Sequence, residues 1–168
     1  MLALAQQKME KTSEAGATMR RAIAFYEGDG APLPLARSLL SYGLFLSGTD
    51  RCDAAVPVLR RAAEVATKTQ DARLGAVSEG MEGSCLGALG HHGEAVPKIK
   101  HAIETLDQAG AIEESCEMQF ELATEYFQGG QKSAGLELAR SVAARLEAMP
   151  PPADQVRARI LDWLKNPS

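Results

Sequence analysis

Apolar and small residues along this chain recur at i, i+4 and i+7, the spacing of one helix face, and the set repeats every 40 residues. Ala15, Ala55, Ala95 and Gly135 form a column of small residues. Met19, Leu59, Ile99 and Ala139 follow four positions later, and Ala22, Ala62, Ala102 and Val142 three further on. These columns define a helix, B. Upstream, Gly43, Gly83 and Ala123 form a second small column, preceded by Tyr42, Glu82 and Leu122 and followed by Leu46, Leu86 and Tyr126. They define a helix A, whose pattern weakens in the middle copy, where Glu79 and Glu82 stand at apolar positions.

Glycine-rich breaks at 48–50, 90–93 and 129–130 separate each A from its B. Connections this short force A and B to be antiparallel neighbours. The pattern predicts a first helix over 4–27, pairs over 35–47 with 52–69, 72–88 with 93–107 and 112–128 with 131–148, and a final helix over 153–165. Pro34 suits a first turn, Pro150–Pro152 stop the last B helix, and Asp154 suits an N-cap or first turn. Pro57 and Pro97 share a repeat position: either helix B starts near residues 53 and 93 or it is kinked there, and the shared phase favours the late start, with Asp53 as an N-cap in the first case. The small columns predict close A–B crossings of Gly43 with Ala55, Gly83 with Ala95, and Ala123 with Gly135, surrounded by larger residues such as Leu46 and Leu59. The next position in the helix A column is Trp163, too large for such a crossing, so the final helix is expected to cap the stack with Trp163, Leu164 and Ile160.

Composition agrees with an all-helical chain. Hydrophobic residues make up 45% and aromatics 5%, the apolar content being carried by Ala, Leu, Val, Ile and Met. The formal net charge is -4 with interspersed signs, which excludes a nucleic-acid footprint; Arg60 and Arg61 read as a solvated helix face. Three widely spaced cysteines, Cys52, Cys85 and Cys116, argue against a disulfide framework and for a reducing compartment, and Cys85 and Cys116 fit as buried small hydrophobes. The leading residues lack a signal-peptide pattern, and no apolar run reaches membrane-spanning length. A cytoplasmic location and no membrane partner are therefore expected.

Candidate chemistry is sparse. His91 and His92 read as solvated turn residues, and no cysteine stands at ligand spacing from them or from His101, so no metal site is expected. GxSxG, HExxH, P-loop and GxGxxG patterns are absent. The glycines of 78–84 sit inside a helical pattern and read as close packing, not as a phosphate cradle. Glu79 with Glu82 and Glu113 with Glu114 are paired carboxylates, but acid–base work needs a cleft, and a convex repeat surface is expected to supply none. No enzyme activity and no cofactor are expected.

Leu39, Tyr42, Gly43 and Leu46, followed by Ala55, Leu59 and Ala62, make the chain resemble a tetratricopeptide-repeat protein. Gly83, Leu86, Ala95, Ile99 and Ala102 match in the second copy, and Leu122, Ala123, Tyr126, Gly135 and Val142 in the third. Ala15, Met19 and Ala22 resemble the second half of a preceding unit. The family unit is about 34 residues; here it is 40, like lengthened units in the repeat arms of bacterial signalling and transcriptional regulators. Thr67 and Asp107 stand where the family has a closing proline.

The resemblance implies a single right-handed solenoid over 1–168, with three full units (35–69, 72–107, 112–148) plus flanking helices. It also implies a concave, helix-A-lined face that binds a protein or peptide partner. By phase that face carries Arg37, Leu40 and Leu44, then Val77 and Ser84, then Glu117, Phe120, Thr124, Phe127 and Gln128. Only Arg37 and Gln128 suit a clamp for a terminal carboxylate, so an apolar segment is the expected ligand, centred on Phe120 and Phe127. Two other roles for the face are cover by a second copy of the chain and, for the two rings, sealing of a junction between units. The leading functional expectation is an interaction scaffold. The alternative is a regulatory or sensor segment of a larger bacterial signalling or transcription-control protein, favoured by a B-like first helix without an A partner.

Overall fold

The computed structural model describes residues 2–147, 149 and 153–167, with side-chain surroundings described from Thr12 onward and, in the last helix, from Asp154. The chain is an all-α solenoid of antiparallel helices: α1 (Leu2–Asp29), α2 (Pro32–Ser47), α3 (Cys52–Ala66), α4 (Ala72–Ala88), α5 (His92–Gln108), α6 (Ile112–Gln128), α7 (Lys132–Glu147) and α8 (Ala153–Lys165). The expected proline stop at 150–152 lies outside the described residues.

One turn geometry recurs along the chain in steps of 20 or 40 residues. Gly30, Asp50, Gly90, Gly110 and Gly130 all have positive φ. At each, the next backbone N–H bonds back to a carbonyl five residues earlier, as in Arg51 to Leu46, His91 to Leu86 and Gln131 to Tyr126. This is the Schellman closure, which needs a left-handed residue and so favours glycine. Asp50 adopts it at φ 57°. The 67–71 connector does not. There Thr67 and Thr69 bond through their hydroxyls to the carbonyls of Glu64 and Ala66, and the Asp71 N–H bonds to the Thr69 hydroxyl. These local bonds end α3 at Ala66, three residues before the expected 69. Asp71 then caps α4, accepting from the Leu74 N–H at 3.0 Å.

α3 starts at Cys52 and α5 at His92, within one residue of expectation, but Arg51 and not Asp53 is the N-cap; Asp53 lies in the first turn. Pro57 and Pro97 are therefore past the first turn and inside their helices. Each removes one helical hydrogen bond. Pro34 does fall in the first turn of α2, which begins at Pro32.

The backbones of the even-numbered helices α2, α4, α6 and α8 approach one another in sequence, whereas those of α3, α5 and α7 come close only to their even-numbered neighbours and reach other odd helices through long side chains, as Arg61 does to Glu27 and Arg145 to Asp107. The even row is the inner, concave layer and the odd row is splayed on the convex side. Between the layers lie the expected columns: Leu39, Leu46, Ala55, Leu59, Ala62, Ala95, Ile99, Ala102, Ala139 and Val142 are all buried. The crossings are close enough to exclude a methyl. A Cβ on Gly43 would meet Leu59 Cδ2 at 2.4 Å, so its opposing residue is Leu59 and not Ala55. A Cβ on Gly83 would meet Ile99 and the Ala95 carbonyl oxygen, and one on Gly135 the Ala123 carbonyl oxygen at 2.5 Å. In α8, Val156 and Ile160 are buried with Phe120, Val142 and Leu146, and Trp163 and Leu164 pack against them. This helix covers the end of the α6–α7 pair.

Candidate protein-binding surface

The concave row gathers some of the predicted residues and separates others. Residues 37, 77 and 117 are one repeat apart, as are 44, 84 and 124, while 40 and 120 are two repeats apart. Leu44 is 40% exposed on α2. Arg37 is exposed, and its guanidinium lies 3.7 Å from Asp71. Leu40 and Val77 are half-buried and share a shallow cavity of about 360 Å³ with Arg37, Asp71, Arg73, Leu74 and Glu114. Arg73 and Glu114 form an ion pair across α4 and α6. Phase counting misses Arg73, Leu74 and Glu114. They lie one helical turn before Val77 and Glu117, so i−4 and i−3 spacing is the available signal.

Ser84 bonds to the Gly80 carbonyl at 3.2 Å, and Thr124 to the Glu121 carbonyl at 2.8 Å. Both are half-buried, and Gln128 is exposed at the end of α6. Glu117 and Glu121 are half-buried on α6. Desolvation raises the pKa of both carboxyls above the ordinary carboxylate value; the Arg159 guanidinium opposes the shift at each. Arg159 Nη2 lies 3.7 Å from Glu121 Oε1.

Phe120 and Phe127 do not centre an open surface. Phe120 is 5% exposed. Both rings meet Trp163 of α8 edge-on, with centroids 5.6 and 5.4 Å apart. Arg159 lies over Phe120 and Lys132 over Phe127. The rings seal the junction between the third unit and α8, a correction to the expectation from phase.

The convex side is not featureless. A cavity of about 570 Å³ opens over α4 between α3 and α5, bordered by Arg60, Gly75, Glu79, Glu82, Lys98 and His101 among others. The expectation that this side has no cleft beside the Glu79–Glu82 pair is thus overturned. Glu82 is buried, but its two oxygens receive Arg60 Nε at 2.9 Å and Lys98 Nζ at 3.2 Å. His101 Nδ1 is 2.7 Å from Glu79. His92 is likewise more than a solvated turn residue: it pairs with the buried Glu125 carboxylate. Carboxylates held by basic side chains from neighbouring helices are structural ties. Among the described residues, no group of three or more His, Cys, Asp or Glu could hold a metal ion, and no helix is long and apolar enough to cross a membrane.

No family model and no curated protein matches the chain. Solved structures do. A Podosopora anserina protein of nearly identical TPR-like repeats, assigned as a kinesin light chain, superposes with a TM-score of 0.68 at 19% identity. A point variant of that protein gives 0.70 at the same 19% identity. In both cases the match covers 97% of this chain and 80% of the other. The paired antiparallel helices thus build a TPR-like repeat fold.

Proposed function

We propose that this chain is an interaction scaffold that takes a partner's apolar segment along the concave row, over α2 and α4. The carrying observation is the open surface there: Leu44 stands exposed, and Leu40 and Val77 line a cavity rimmed by Arg37, Asp71, Arg73 and Glu114. An extended or helical segment would set apolar side chains against Leu40, Leu44 and Val77 and meet the charged rim with its polar edge. The α6 end contributes Glu117, Thr124 and Gln128 at the margin. Phe120 and Phe127 support that end from behind.

A photo-crosslinking residue at Leu44, compared with one at the exposed convex residue Glu64, tests this in the native cell. Specific adducts from position 44 that Arg37→Glu abolishes are the expected result. Adducts from position 64 alone would place the partner on the other side and overturn the assignment. The 40-residue unit favours a second reading, a regulatory arm of a larger bacterial signalling protein. Adducts at position 44 formed with other domains of the same polypeptide would support it.

A further inference from the structure

We propose that Cys52 and Cys85 are a redox-responsive pair, which a peroxide-class oxidant closes into an intramolecular disulfide tying the first repeat unit to the second. The sulphurs lie 2.9 Å apart, although 33 residues separate them in sequence. Cys52 is half-exposed at the first position of α3, and Cys85 is fully buried in α4. Both sit in one cluster with Leu46, Ala55 and Leu59, which holds the two helices in place. Cys116 is buried in a different cluster, around α6 and α7.

The two thiols are unequal. Burial first, and then the Cys52 neighbour, push the Cys85 thiol up to about 12, with a Ser47 hydrogen bond opposing. Cys85 therefore stays protonated and enclosed. Cys52 is the accessible sulphur, and its thiolate form is the nucleophile. That thiolate attacks one peroxide oxygen. The O–O bond breaks, hydroxide leaves and is protonated to water, and Cys52 becomes a sulfenic acid. The Cys85 sulphur then attacks the Cys52 sulphur. The S–O bond breaks as the S–S bond forms, and the oxygen departs as a second water carrying the Cys85 proton. Two electrons pass from the sulphur pair to the peroxide. A dithiol reductant reverses the bridge by exchange.

The bridge would enclose α3 and the 67–71 connector. Of the connectors that join α1 through α7, this is the one closed by threonine hydroxyls without a positive-φ residue. Oxidation would thus fix the junction that the repeating turn leaves unlocked.

Fully reduced protein and its Cys116→Ser variant, each treated with hydrogen peroxide and mapped without reduction, provide the test. Both should yield one linked peptide pair containing Cys52 and Cys85, lighter by two hydrogens. Their Tm should rise by about 5–10 °C and fall back with dithiothreitol. Cys52→Ser, confirmed folded by circular dichroism, should lose both effects. Oxidation of Cys52 to the sulfinic acid without a bridge would overturn the proposal. So would a dominant link to Cys116 or to a second chain, or a linked product with no rise in Tm.

Discussion

The first and second repeat units solve one packing problem with opposite chemistry. Where α2 places Tyr42, α4 places Glu82, and α6 returns to Leu122. Around Tyr42 the solution is a ring with Arg20 donating to its hydroxyl at 3.1 Å and lying 5.9 Å from its centroid. Around Glu82 it is a carboxylate between Arg60 and Lys98. Arg20 and Arg60 are themselves one repeat apart. A basic residue on the odd helix thus reaches the same position in both units and meets an aromatic in one and an acid in the other. The repeat fixes the geometry of this position and leaves its polarity free, provided that the residue finds a partner.

Stripping Glu82 of its partners is the strongest way to break the parallel. Arg60→Ala with Lys98→Ala leaves a buried carboxylate uncompensated and should cost about 3 kcal/mol in urea unfolding; a loss below about 1 kcal/mol would show that the ties are idle. The crossings give the next effect. Gly135→Ala presses a methyl on backbone that cannot move aside, whereas at Gly43 the obstacle is the Leu59 side chain. Gly135→Ala should cost about 1–3 kcal/mol. Both changes regain helix propensity of up to about 1 kcal/mol, but Gly43→Ala should cost less, because the Leu59 side chain can shift. Equal losses in thermal melts would contradict this ranking.

Glu82→Leu, which copies the third unit into the second, should change stability by less than about 1.5 kcal/mol in either direction, since apolar residues commonly replace buried ion pairs without loss. A larger destabilisation would mean that the Arg60–Glu82–Lys98 arrangement specifies the second unit. The smallest effect concerns Glu121. Its folded pKa is raised, chiefly by desolvation, so the native state takes up this proton before the unfolded chain does. Its contribution to stability is greatest below the ordinary carboxylate value and declines as pH rises through the raised one. Glu121→Gln should therefore flatten the stability–pH curve over that interval, with a gain of about 0.5 kcal/mol at neutral pH after allowance for lost contact with Arg159. An unchanged pH dependence would count against the raised value.

The repeat was legible because small residues leave a mark at fixed spacing: Gly43, Gly83 and Gly135 identify crossings that admit no methyl. Glu82 read as a weakened pattern because its partners lie 22 residues before and 16 after, on different helices. Phase assigned Phe120 and Phe127 to α6 but could not show that Trp163 of α8 comes to rest on both rings. Exposure depends on the neighbour, and the neighbour was a single helix outside the repeat. The Cys52–Cys85 contact was hidden for a similar reason. The two cysteines belong to successive units at unrelated phases, and no local spacing rule connects them.

The order of contacts along the solenoid also bears on how the chain folds. Among the described residues, no helix touches another more than two places away. Every contact is therefore closed by a short stretch of polypeptide, and little loop entropy opposes the search, as expected of a low-contact-order, rapid folder. Stability is then a sum of nearest-neighbour couplings, in which a nucleus can form in any adjacent pair and spread outward. α4, gripped by α2, α3, α5 and α6, is the best-coupled position for that nucleus.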